Sequence, residues 1–535
     1  MDPHSNSNPV PANRQIARAA GTVMVAIVLG QLLGLLRGIL VARAFPASDL
    51  DAFFAANRVS ETLFMLIAAG ALGSAFIPTF TAMLARGERG SAWRLASGLA
   101  RLILVVLSGL ALLAEFLAPQ IVTYLLAPGF SSDPALFGLT VELLRVQLAS
   151  VILFGLGGLV VGILNAHGVF FVPALTPSMY QLGLIFGVLI LGPEMGIRGL
   201  AWGVVVGSAL YLLLQLPALR RVSRQTAAAL GTDGYGPPLG LHDAPVREVM
   251  RLMLPRVAGI GVVQLNFWVN TWLASHMQSG SVAGLQYGFS LMLMAQAAIA
   301  QSVAIAAMPA FSAQHALGRR DELRGSLAAS LRGILLLAAP ASAGLILLRE
   351  PLVALLYQRG QFDARMTGLV AWALLWFAAG LVGHAMLEVL TRAFYAQRDT
   401  RTPVLVGASA MGLNVLLSIV FSALFARGGW MPHGGLALAN SLATAVETGA
   451  LFVLMRRRLG GMEGRRIGQG AAYAALGTAA LCAAIIPYAL RATTAASGVI
   501  GGVALGGSVY FVVMWLLRVP ELNTLLNSAL RRIRS

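Results

Sequence analysis

The sequence predicts an all-α, polytopic membrane protein of about 14 transmembrane helices, built as two parallel six-helix lobes followed by two C-terminal helices. Three observations carry this. Of 535 residues, 58% are apolar and only 11% charged, less than half the charge of an ordinary soluble domain. Apolar stretches long enough to cross a bilayer recur from Ile16 to Leu517, each meeting the requirement of about 20 residues. The chain also resembles itself at a nearly constant offset.

Taken in order, the predicted spans are 17–45, 50–84, 92–126, 136–165, 171–192, 197–220, 246–277, 282–315, 325–348, 366–396, 403–426, 434–457, 468–490 and 496–517. A polar N-terminal tail, 1–14, leads into a lobe at 15–224, and a linker at 225–243 joins it to a second lobe at 244–459. Helices 13 and 14 occupy 460–518, and a basic tail covers 519–535. The first span outruns a signal-peptide core and is read as uncleaved.

The repeat rests on three matches. AFIPTF at 75–80 resembles AAMPAF at 306–311, with Pro78 and Pro309 standing 231 residues apart. PQIVTYLLAPGF at 119–130 resembles EPLVALLYQRGQF at 350–362, with 232 between Phe130 and Phe362. ILNAHGVFFVPAL at 163–175 resembles AFYAQRDTRTPVLV at 393–406, with 230 between Pro173 and Pro403. Each copy holds about six helices and starts on the same side, so the copies are parallel, with a cavity expected between them.

The net charge of +17 is no nucleic-acid footprint, because no basic run is interleaved with aromatics. Lysine is absent, so all 38 basic residues are arginine, and the phosphate-binding GK[ST] loop of an ATPase is excluded. Arginines crowd alternate loops, around Arg86, Arg220, Arg319, Arg398 and Arg456, while the opposite loops hold Asp49, Asp51 and Asp133. By the positive-inside rule both termini are cytoplasmic. The single cysteine, Cys482, forms no internal disulfide.

Ionisable groups at membrane depth are costly and usually face a cavity or a partner. Arg58 and Glu61, three apart, are spaced to pair locally. Arg37 has no acidic partner in its own span, which points to a cavity or to snorkelling at the interface. The seventh span carries Arg256, Gln264, Asn266, Asn270 and His276. Asn266 and Asn270 share a face and suit either a ligand or interhelical hydrogen bonds. Glu388 and Arg392, with His384 on the same stripe, read as an ion pair before a proton relay. Glu142 and Arg145 read the same way. No catalytic set or metal constellation is visible, and His167 lacks a second ligand.

Several stretches resemble the MurJ/MviN-type lipid II flippases of the multidrug/oligosaccharidyl-lipid/polysaccharide exporter superfamily. They are GLLRGILVARAFPASDLDAFFAANRV (34–59), LAPGF (126–130), GILNAHGVFFVPALTP (162–177), LYQRGQFD (356–363), RAFYAQRDTRTPV (392–404) and HGGLALANSLA (433–443). FYAQRDTRTPV is the most specific. The resemblance implies lobes in a V around a cationic cavity and a lipid groove at helices 13 and 14. It implies alternating-access transport of an undecaprenyl-pyrophosphate-linked peptidoglycan precursor. Arg37 matches a cavity arginine of the family and Asp51 its DAFF acid. The expected cavity set is Arg37, Asp51, Arg58, Glu61, Arg256, Asn266 and Asn270. A cation site seen in some members maps to Asn270, Asn414, Ser418 and Asn440, without a carboxylate. Other family charges are replaced: Gln31, Phe64, Met65, Ala69 and Ser290 (behind Phe289) stand at charged positions, and Glu388 stands where some members have lysine.

These readings predict a transporter, not an enzyme, in the inner membrane. It has no cofactor and no nucleic-acid partner, a coupling cation is left open, and the membrane potential is the expected drive. The expected partners are a lipid-linked substrate and membrane lipids, with cell-wall synthesis proteins as candidates and a monomeric state. The alternatives are export of another prenyl-linked glycan or amphipathic molecule, and a non-transporting envelope scaffold.

Overall fold

In hydrocarbon a backbone must satisfy its own polar groups, and long apolar segments do so as helices. The computed structural model describes residues 12–66, 76–230, 239–240 and 243–521, and no strand occurs among them. Among the described residues eleven helices are long and apolar enough to cross a membrane, and two bent pairs raise the count to 13. The predicted second span, 50–84, appears as Ala47–Phe64 and Ile77–Ala85, with residues between them outside the described set. Most of the linker 225–243 and the tail beyond Glu521 also lie outside it.

The chain divides into two compact units. The first comprises Met1–Phe45, Ala55–Leu126 and Ser131–Gln264; the second comprises Pro46–Phe54, Ala127–Phe130 and Leu265–Ser535. The sequence repeat reappears in their helix boundaries. Arg89–Phe116 in the first unit and Arg320–Leu347 in the second are displaced by 231 at both ends. Pro134–Ala166 corresponds at an offset of 230 to Ala364–Ala379 plus Leu381–Ala396. The cores use equivalent positions: Phe80, Ile103 and Val160 are buried in one unit, and Phe311, Ile334 and Leu390 in the other.

The copies differ at one helix. In the second unit the chain bends by 48° between Ala379 and Leu381. There the Gly380 amide donates to the Phe377 carbonyl at 3.0 Å instead of closing a full α-turn. The Trp376 carbonyl so released accepts from the Ser441 hydroxyl at 2.6 Å. A Cβ at Gly380 would collide with Ser441, so the glycine admits the hydroxyl that repairs the break.

Within the first unit, Phe171–Phe186 packs on Ile197–Leu213 through small residues. A Cβ at Gly183 would run into the Gly207 backbone, and one at Gly187 into Gly203. Without a hydrophobic drive between helices in lipid, such close backbone approach supplies the packing energy. Gly183→Val is therefore expected to destabilise the fold by about 1–3 kcal/mol through overpacking. A lowered melting temperature of the purified protein in detergent would show it, and an unchanged one would refute the close contact.

Candidate functional site

The polar groups of each unit fall into small, mostly self-satisfied clusters. In the first unit Arg58 donates to Glu61 at 3.0 Å, forming the predicted local pair. One turn on, Thr62 donates to the Arg58 carbonyl at 2.7 Å and lies 3.3 Å from the side-chain oxygen of Gln264, an acceptor that is itself buried. Arg37 is half-buried in the helix Ala12–Ala44 and has no ion-pair partner among the described residues. Seven residues before the helix end, it sits about 10 Å inside it. The Arg256 side chain lies outside the described residues.

Asp51 has a different surrounding from the one the resemblance implied. It is 2% exposed, and its carboxylate accepts the Gly280 amide at 2.5 Å and the Ala283 amide at 2.8 Å. Those amides open the helix Ser281–Gln296, and Gly280 takes a left-handed φ of 92° to start it. Asp51 thus caps a helix N-terminus from a distant part of the sequence, and both its oxygens are spent there.

The amides of the second unit form one network. Asn266 accepts from Asn414 at 3.2 Å and from Asn270 at 3.4 Å. The Ser418 hydroxyl lies 3.2 Å from the side-chain oxygens of both Asn270 and Asn414. Three members of the predicted ion site, Asn270, Asn414 and Ser418, therefore come together, with Asn266 added. Asn440 is instead tied to His384 at 3.1 Å. A hard cation prefers several oxygens with carboxylate charge among them. Here the oxygens are neutral and already accept hydrogen bonds, so the set fits interhelical bonding and does not fit a cation. No group of three or more His, Cys, Asp or Glu able to hold a metal occurs among the described residues.

One predicted pair is corrected. Glu142 does not pair with Arg145 but takes two hydrogen bonds from Arg198, at 2.6 and 2.9 Å, while Arg145 reaches Glu115 at 3.5 Å. The fork of Arg198 matches both carboxylate oxygens, a better arrangement than a same-helix contact. Glu388 and Arg392 do pair, at 2.7 Å. His167 hydrogen-bonds the Ile163 carbonyl at 2.9 Å and packs near Phe80 and Trp93 at the helix end. The sequence reading missed Glu447, which is 8% exposed near the middle of His433–Leu459, with its carboxylate above Gly407. A carboxylate fourteen residues into an apolar span was the available signal.

At the arginine-rich end of the second unit, Asp399 accepts from the Thr402 amide (3.0 Å) and hydroxyl (2.7 Å) and from Arg458 (2.6 Å). Burial opposes its charge, but these donors outweigh burial and hold the carboxyl down to about 2, below its ordinary 3.8.

A duplicated bundle of apolar helices with buried polar clusters is the architecture of a multi-pass membrane protein. The profile of the family described as Lipid II flippase MurJ matches residues 41–506. A Lipid II flippase MurJ of Burkholderia cenocepacia is 30% identical, the match covering 82% of this chain and 84% of the relative. A probable lipid II flippase MurJ of Vibrio cholerae is 28% identical over 83% of each. The chain belongs to the MurJ lipid II flippase family, a family of transporters and not of enzymes, and is a multi-pass inner-membrane protein. A solved lipid II flippase MurJ in an inward closed conformation shares the fold, with a TM-score of 0.77 at 22% identity, covering 92% of this chain and 98% of that one. An inward-facing MATE family transporter of the MOP superfamily shares it more distantly, with a TM-score of 0.67 at 16% identity, over 82% of this chain and 98% of that one.

Two outcomes follow from this geometry. Asp51→Ala leaves two buried amides without an acceptor and should cost about 1–3 kcal/mol, read as a drop in melting temperature; an unchanged value would refute the cap. A carboxyl with a depressed folded pKa adds stability where the unfolded chain is ionised and loses it as pH falls through the folded value. Asp399→Asn should therefore melt below the parent at pH 7, with the gap closing between about pH 4 and pH 2. A gap that persists at pH 2 would show that the charge is not what matters.

Proposed function

We propose that this chain translocates lipid II, the undecaprenyl-pyrophosphate-linked peptidoglycan precursor, across the inner membrane. The observation that carries the reading is the family match over residues 41–506. Arg37 adds to it as an intramembrane guanidinium with no acid to neutralise it among the described residues. Guanidinium binds phosphate through two parallel hydrogen bonds, and a pyrophosphate at membrane depth needs such a counter-charge.

In this reading the lobes 15–224 and 244–459 alternate access to the two sides, and helices 460–518 guide the prenyl tail. Arg37 takes the pyrophosphate and Arg256 assists. Arg58 reaches the head group only by exchanging Glu61 for it. Asn266 and Asn270 line the path as neutral donors, and Asp51 supports it through the helix it caps. The arginine-rich loops support a topology with both termini in the cytoplasm. The carrier works as a monomer driven by the membrane potential, with cell-wall synthesis proteins as neighbours. Replacement of family charges by Gln31, Phe64, Met65 and Ser290 supports a second reading, in which the head group is a different prenyl-linked glycan.

The test is rescue of a bacterium depleted of its own flippase, followed by lipid II translocation in proteoliposomes. The parent should rescue and translocate. Arg37→Ala should slow translocation about ten- to hundredfold, the loss of a charge-assisted hydrogen bond worth about 1.5–3 kcal/mol. Full activity in Arg37→Ala removes that residue from the site. An inserted but inactive parent that accepts another prenyl-linked glycan establishes the second reading.

A further inference from the structure

The most specific motif of the sequence, FYAQRDTRTPV, takes no part in the transport reading, yet it forms one wall of a cavity. The cavity, of about 320 Å³, lies where the ends of helices Ser302–Ala316, Arg320–Leu347, Leu381–Ala396 and His433–Leu459 meet, all in the second unit. Its polar walls are Gln314, His315, Arg320, Gln397, Asp399 and Arg458.

We propose that this cavity binds a phosphate group, of either a soluble phosphate ester or an anionic lipid head group, separately from Arg37. The charge balance argues for an anion. The acids around the cavity are already committed: Asp399 to Arg458 at 2.6 Å, Asp321 to Arg324 at 2.8 Å and Glu322 to Arg319 at 3.4 Å. Arg320, between those last two pairs, has no acidic partner among the described residues, and His315 lies on the same wall. Two guanidinium groups and an imidazole therefore face a single carboxylate that is itself neutralised.

The cationic wall is also built in advance. Arg458 is fixed by Asp399 on one side and stands 5.4 Å from the Phe394 ring centre on the other. Asp399 is fixed in turn by both donors of Thr402. Such orientation lowers the entropy lost when a guanidinium takes a phosphate. The Gln314 side-chain oxygen is buried without a partner, while its nitrogen donates to Ser326 at 2.8 Å.

The turn that presents Gln397 and Asp399 costs something to form. Its middle residue, Arg398, has a φ of +60°, and the equivalent residue of the first copy, 230 positions earlier, is Gly168 at +75°. A left-handed backbone costs a non-glycine residue roughly 1–2 kcal/mol. The first copy makes this turn with the residue that suits it, and the second carries arginine, so the conformation is held here by its surroundings.

The test is thermal unfolding of the purified full chain in two arms. In detergent, millimolar inorganic phosphate is compared with chloride at equal ionic strength. In reconstituted vesicles, phosphatidylglycerol is compared with phosphatidylcholine. The expected result is a rise of the melting temperature in at least one arm. Phosphate alone identifies a soluble ester as the source, phosphatidylglycerol alone a lipid head group, and both together the phosphate group itself. Arg320→Gln should raise the half-saturating phosphate or phosphatidylglycerol concentration at least about tenfold. Arg320→Lys should show an intermediate loss, because charge remains without the fork. Arg37→Ala should keep the part of the response that Arg320→Gln removes, which separates this site from the transport path. No rise in either arm, or a rise that Arg320→Gln leaves intact, overturns the proposal; so does a rise that Arg37→Ala abolishes.

Discussion

Every polar group of the main chain must find a partner inside the protein, because the surrounding hydrocarbon offers none. That constraint explains why irregular points in this structure come with a rescuer. At Gly380 the released Trp376 carbonyl is taken by Ser441, and at Gly280 the open amides of a helix start are taken by Asp51. In both cases glycine makes the geometry accessible and a polar side chain from a separate segment completes it. Substituting either partner would leave a buried group whose desolvation is not repaid.

Much of the architecture was legible in the sequence because lipid imposes a simple code. Twenty apolar residues mean a span, and the matches near Pro78 and Pro309 fixed the repeat that the helix boundaries reproduce at 230 and 231. The pairing of polar groups was less legible. Arg58 with Glu61 and Glu388 with Arg392 were found because their partners lie on the same helix. Glu142 was misassigned because its real partner, Arg198, is 56 residues away. Asp51 could be placed in the family motif, but its contact with an amide 229 residues on is tertiary and leaves no local signature. Glu447 went unnoticed because a single acid without a neighbour of opposite sign forms no pattern.

The copies have kept their frames and diverged in their charges. The buried positions Phe80 and Phe311, or Ile103 and Ile334, do equivalent packing. The turn after each long helix keeps its left-handed residue, but Gly168 has become Arg398 and the following position has become Asp399. An intramembrane arginine without an acid among the described residues stands in the first unit, and neutral amides gather in the second. Duplication supplied the scaffold, and chemistry was then written separately on each half.

The 48° bend at Gly380 makes the halves mechanically unlike. In the first unit the corresponding stretch, Pro134–Ala166, is one uninterrupted rod, which carries a push along its whole length. Its duplicate is an elbow whose joint is stitched by the hydroxyls of Ser441, Ser342 and Thr448 on the Trp376, Ala378 and Gly383 carbonyls, so a displacement arriving at one arm can be taken up as rotation before it reaches the other. Symmetry of descent has not produced symmetry of compliance.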